Sequence, residues 1–155
     1  MGTGTMSGDN DLIKLYSGRI LALAADIPHL ERLPSPDSTV KKRSPVCGSI
    51  VTVDVTMENG KVSAFGQDVK ACALGQAAAA VTAAAVIGRT PAELANARDA
   101  LKAMLKSQGP VPDAPFDGFA VLEPARDFKN RHASIMLAIE AAAEAAEGAQ
   151  QSVCA

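Results

Sequence analysis

The sequence predicts an α+β domain, a small antiparallel sheet made of a hairpin and an edge strand, packed against an N-terminal helix and several C-terminal helices. Three observations predict it. Residues alternate strictly from Ile50 to Met57, with Val51, Val53, Val55 and Met57 on one face and Thr52, Asp54 and Thr56 on the other. Asn59-Gly60 then supplies the positive φ angles of a tight type I′ turn into a second extended run, Lys61 to Val69. Everything after Val69 reads as helix, and strands followed by helices mark layers rather than alternating βαβ units.

Each element has its own signal. Before the hairpin, Leu12, Ile13, Leu15, Tyr16, Ile20, Leu21 and Leu23 recur at helical spacing, predicting a helix over Asp11 to Asp26 capped by Asp9 or Asp11. Pro28 to Pro45 is loop, with a short edge strand around Ser38 to Arg43. The alanine-rich helix from Ala71 to Ile87 is closed by Gly88. Thr90-Pro91-Ala92-Glu93 opens the next helix with a cap, a first-position proline and a capping-box glutamate, and that helix stops near Ser107 before Gly109-Pro110. A Pro-rich loop over Val111 to Asp117 and a short helix at Phe119 to Leu122 lead to a last long helix, Asp127 to Glu147. The reading is therefore a disordered tail over 1–10, a single domain over 11–148 and a frayed tail over 149–155.

Composition bounds the function. The chain has 155 residues, 48% of them hydrophobic, which is enough to bury the core of one domain. A net charge of −2 offers no general basic field for nucleic acid. Leu21 to Ala25 and Ala71 to Ile87 are too short or too weakly apolar to span a bilayer, and the Gly/Thr/Ser-rich start lacks the features of a secretory signal, so the expectation is a cytoplasmic protein away from membranes. Aromatic residues are only 3%, which suits alanine-faced helices in close contact, the plain reading of Ala77 to Ala85. No Gly-x-Ser-x-Gly elbow and no phosphate-binding glycine loop occurs.

Three cysteines in a reducing compartment argue against a disulfide framework and leave thiol or metal chemistry open. Cys47 lies in Ser44-Pro45-Val46-Cys47-Gly48-Ser49, a turn that delivers the chain into the first hairpin strand. Cys72 lies where the second strand ends and the alanine helix begins, and the helix N-terminus with Lys70 nearby favours a thiolate. Antiparallel pairing brings both cysteines to one end of the hairpin. A metal or sulfur site and a pair of small buried thiols both fit that placement. His132 falls in the first turn of the last helix, as a capping or core residue or as a ligand, while Cys154 sits in the tail. The basic residues Lys41, Lys42, Arg43, Arg126, Lys129 and Arg131 form either a docking surface or a solvated face.

Taken in order, Pro-Val-Cys-Gly, the alternating strand, the Asn-Gly turn, Lys-Ala-Cys-Ala-Leu-Gly-Gln-Ala, Gly-Arg-Thr-Pro-Ala-Glu and Arg-His-Ala-Ser resemble the IscU/NifU/SufU-type iron–sulfur cluster assembly scaffolds from about Asp11 to Glu147. The resemblance implies a carrier, not a turnover enzyme. It would build a transient [2Fe–2S] cluster from iron and the sulfur of a cysteine desulfurase, then pass it to acceptor proteins. Cys47 and Cys72 match the family's first two cysteines, and both are candidate sulfur acceptors. The third cysteine is missing: the segment reads Arg131-His132-Ala133-Ser134, leaving His132 as the third ligand. Ser49 stands where the family has an aspartate, and a hydroxyl is a poorer ligand for iron or zinc. Ser49, Lys70 and Arg131 would surround the ligands. The family's Leu-Pro-Pro-Val-Lys chaperone motif is replaced by Leu122-Glu123-Pro124-Ala125-Arg126. Two thiolates and an imidazole would raise a cluster's reduction potential, or would suit Zn²⁺ in a sulfur-transfer partner of the desulfurase. A degenerate adaptor without metal is the remaining alternative.

Overall fold

The structure, a computed structural model, describes residues 17–45 and 48–154, with backbone only at 152–154. Three strands, β1 (Ser38–Arg43), β2 (Ile50–Glu58) and β3 (Lys61–Lys70), form an antiparallel sheet in the order β1-β2-β3. The edge strand and the hairpin both follow the sequence reading. Asn59 and Gly60 have φ of 54° and 77°, the two positive angles that a type I′ turn requires. Register shifts once, between Thr56 and Met57, so that Met57 pairs with Val62 and stays buried beside Val51, Val53 and Val55.

The helices are α1 (Gly18–Ala25), α2 (Ala73–Val86), α3 (Pro91–Lys106) and α4 (Lys129–Cys154), with a 3₁₀ segment, Asp117–Asp127, between the last two. Ser17 caps α1 by accepting the Ile20 N–H; the expected start at Asp11 and its aspartate caps lie outside the described residues. At the start of α3, the Thr90 hydroxyl accepts from the Glu93 N–H at 3.1 Å while the Thr90 N–H donates to the Glu93 carboxylate at 3.0 Å. That is the reciprocal capping box read from Thr90-Pro91-Ala92-Glu93.

Helix α4 is the axis of the fold. It lies against β1 and β2 and is flanked by α2 and α3, so apolar residues all round it are buried, from Ile135 to Ala149. It runs past Glu147, the last residue expected in it, to Cys154. The reason is packing: Ala145, Ala146 and Ala149 are buried, and Gly148 lies so close to Ser38 that a Cβ would come within 3.0 Å of its hydroxyl. The alanines of α2 are buried in the same way, from Ala77 to Ala80 and again at Ala83 and Ala85.

The other face of the sheet is covered by the segment between α1 and β1. The Gln67 N–H, on the outer edge of β3, donates to the His29 and Glu31 carbonyls at 3.1 and 3.0 Å. This occupies part of an otherwise open strand edge. The segment then crosses to Asp54 on β2. A Cβ on Gly66 would lie 2.2 Å from the Glu31 carbonyl oxygen, so only glycine lets the strap pass.

Asp54 is fully buried and saturated. Arg32 donates to it through Nε at 2.6 Å and through its second guanidinium nitrogen at 3.1 Å, the Leu33 N–H at 3.0 Å and the Thr39 hydroxyl at 2.6 Å. Burial acts to raise its pKa, but these donors and the Arg32 charge outweigh burial and hold the carboxyl below its usual range.

Candidate functional site

One end of the sheet gathers several of the residues singled out from the sequence. The pair Ile50↔Lys70 is the last rung of the β2–β3 ladder, so the chain before Ile50 and the chain after Lys70 leave the sheet side by side. Before Ile50 comes a turn closed on itself: the Ser44 N–H donates to the Ser49 carbonyl at 2.8 Å and the Gly48 N–H to the Ser44 carbonyl at 3.0 Å, with Gly48 at φ 75°. Cys47 belongs to this turn but lies outside the described residues.

After Lys70, Cys72 is the N-cap of α2, with extended backbone, and its carbonyl accepts the Gln76 N–H at 2.9 Å. Its thiol is free and half-buried. The Sγ atom lies 3.5 Å from the Ser134 hydroxyl of α4, which donates to the Ser49 hydroxyl at 3.0 Å. Ser134 and Ser49 are 1% and 5% exposed, so this chain of small polar groups runs inward from the thiol. Gly75 makes the approach possible. A Cβ there would meet the Ser134 hydroxyl at 2.6 Å and the Ala71 Cβ at 2.8 Å.

His132 is also on α4 but on another side. Ser134 is two residues further along, roughly 200° round the helix. The buried imidazole lies with Nε2 at 2.9 Å from the Ala125 carbonyl and 3.1 Å from the Arg126 carbonyl, both in the 3₁₀ segment. Carbonyls only accept, so Nε2 carries the proton, and in the neutral ring the lone pair is on Nδ1. Nδ1 is buried and has no hydrogen-bond partner. Tethering one ring nitrogen to a backbone carbonyl while leaving the other free is the orientation that metal-binding histidines use.

Other expected residues are placed differently. Lys70 is exposed and Arg131 half-buried. Arg126 is engaged elsewhere, donating to the Met104 and Gly109 carbonyls at 2.8 and 2.7 Å, which fastens the 3₁₀ segment to the end of α3. Lys42 pairs with Glu144. Among the described residues, no three His, Cys, Asp or Glu side chains are grouped to hold a metal, and Cys47 is not among those residues. Sequence reasoning gave Ser134 and Gly75 no role. The available signal was a glycine inside the first turns of a helix, which costs about 0.5–1 kcal/mol relative to alanine unless a close approach needs it.

The whole fold has solved counterparts. The N-terminal part of a nitrogen-fixing NifU-like protein from Brucella abortus superposes with a TM-score of 0.88 at 42% identity, over 91% of this chain and 98% of that one. A protein assigned as an iron–sulfur cluster assembly scaffold for the SUF system, from Fervidobacterium islandicum, shares the fold at a TM-score of 0.77 and 16% identity, over 86% of this chain and 98% of that one. A hypothetical protein shares it at 0.71 and 21% identity, over 87% of this chain and 98% of that one. No protein-family profile and no curated protein sequence matches the chain. The identity to the NifU-like domain and its coverage place the chain in the IscU/NifU/SufU-type iron–sulfur cluster assembly scaffold family. Among the described residues, no helix is long and apolar enough to cross a membrane.

Proposed function

We propose that this protein is a cytoplasmic scaffold and carrier that assembles a transient [2Fe–2S] cluster on Cys47, Cys72 and His132. In this reading a cysteine desulfurase supplies sulfur to Cys47 or Cys72, and acceptor proteins receive the cluster. The observation that carries the reading is the convergence at one sheet end: Cys72 stands at the N-cap position of α2 with its thiol against the buried Ser134–Ser49 hydroxyls, at the edge of the turn that contains Cys47.

The donor set suits the cargo. Thiolates take iron, and the unpartnered Nδ1 of His132 would be the third donor, its ring oriented by the Ala125 and Arg126 carbonyls. Ser49 makes a hydrogen bond where an aspartate would have added a charge, which leaves fewer negative groups at the site. Lys70 and Arg131 lie next to these segments and add positive charge.

Anaerobic reconstitution with ferrous iron and sulfide tests the proposal. Wild-type protein gains the visible absorption of a [2Fe–2S] cluster, and a Cys47→Ala/Cys72→Ala variant does not. Absence of that absorption in the wild type, equal absorption in the variant, or stoichiometric zinc in place of iron after purification without oxygen would each overturn it.

A further inference from the structure

Beyond the thiols, a cavity of about 370 Å³ opens along the first turns of α4, between the end of β1, the second half of α3 and the start of the Cys47-bearing turn. Five cations line it, Lys42 and Arg43 from β1, Lys102 and Lys106 from α3 and Lys129 from α4, against a single acid, Glu140. Five like charges around one concavity repel one another, so gathering them there has a cost. The fold itself does not call for it. Among the described residues Lys42 alone of the five is in an ion pair, with Glu144, and Arg43, Lys102, Lys106 and Lys129 make none.

One carboxylate, Glu140, offsets only part of the positive charge on five cations, and the nearby Glu144 is engaged by Lys42. The floor is apolar, made by Pro45, Met136 and Leu137, and the buried His132 with its unpartnered Nδ1 forms part of the wall. No glycine-rich run of backbone N–H groups cradles the cavity, as compact phosphate sites commonly have. Positive groups separated around an apolar floor fit several carboxylates joined by a carbon skeleton.

We propose that this cavity binds a small organic polycarboxylate, a di- or tricarboxylate anion, beside the Cys47 turn. If the scaffold reading above is right, this places an anionic carboxylate chelate of iron beside the start of the turn that bears Cys47, since carboxylates are natural ligands for such ions. Binding of the metal-free anion does not depend on that reading.

Isothermal titration of the metal-free full chain with citrate, at about 0.1 M salt, tests the proposal. We expect saturable one-to-one binding that weakens about tenfold or more in a Lys102→Glu/Lys106→Glu variant, and by a smaller factor in Lys102→Gln/Lys106→Gln. Both lysines are exposed and unpaired, so far-ultraviolet circular dichroism should stay unchanged. No saturable citrate binding in the millimolar range would overturn the proposal. So would equal binding by both variants, inorganic phosphate binding as tightly as citrate, or preference for an acidic peptide. Reconstitution from a simple ferrous salt should be the same in the variants and the wild type. Its failure in all of them would refute the scaffold reading while leaving the anion site standing.

Discussion

Two buried polar clusters flank β2, and they are built to opposite rules. On the outer face, Asp54 receives four hydrogen bonds from Arg32, Leu33 and Thr39. At the sheet end, Cys72 has one long contact to Ser134, and on another side of α4 Nδ1 of His132 has none. A saturated network rigidifies the structure around it, whereas an unsaturated one keeps donor atoms available for something the fold does not supply. The first cluster fastens the strap to the sheet. The second is where cargo chemistry is proposed.

Breaking the saturated cluster should cost most. Asp54→Ala leaves the Leu33 N–H and the Thr39 hydroxyl without their acceptor, while the half-exposed Arg32 turns to water, and should lower stability by about 2–4 kcal/mol in urea or guanidinium unfolding. Cluster formation per folded molecule should not change. Because the folded pKa of Asp54 is depressed, its contribution is present above the unfolded carboxylate pKa and is lost as pH falls through the lower folded value. The stability difference between wild type and Asp54→Asn should therefore shrink in acid.

Gly66→Ala sharpens the same side of the comparison. Its new Cβ would meet the Glu31 carbonyl at 2.2 Å, and moving the strap should cost about 1–3 kcal/mol, read as a lower unfolding midpoint with faster amide exchange at Gln67.

The unsaturated cluster should respond in the reverse sense. Ser134→Ala removes the contact to Cys72 and the bond to Ser49, at a cost near 1 kcal/mol. Its larger consequence should be on the proposed cluster, whose half-life in air after reconstitution should shorten. If stability falls by several kcal/mol while the half-life is unchanged, the two regions do not divide as described.

Much of this was legible from local patterns. Alternation over Ile50 to Met57, the Asn59-Gly60 turn and the Thr90 to Glu93 box each report a short-range physical constraint, and each recurs in the structure. The cysteine motifs placed Cys72 at the start of α2 for the same reason. What escaped was non-local. The alternation set Asp54 apart from the apolar face but could not show Arg32 arriving from a loop 22 residues away. His132 could be placed on its helix, yet the carbonyls that orient it come from the 3₁₀ segment, whose path no periodicity announces. The last turns of α4 carry little local signal, because small residues such as Gly148 and Ala149 announce their burial only once a neighbour such as Ser38 packs on them.

The ligand set is the central claim, and pulsed electron paramagnetic resonance of the reduced, reconstituted cluster tests it most directly. The account predicts a nitrogen hyperfine coupling from directly bound imidazole in the wild type, lost in His132→Ala while Cys47 and Cys72 still retain iron. A cluster with no such coupling, or with the same coupling in His132→Ala, would contradict it.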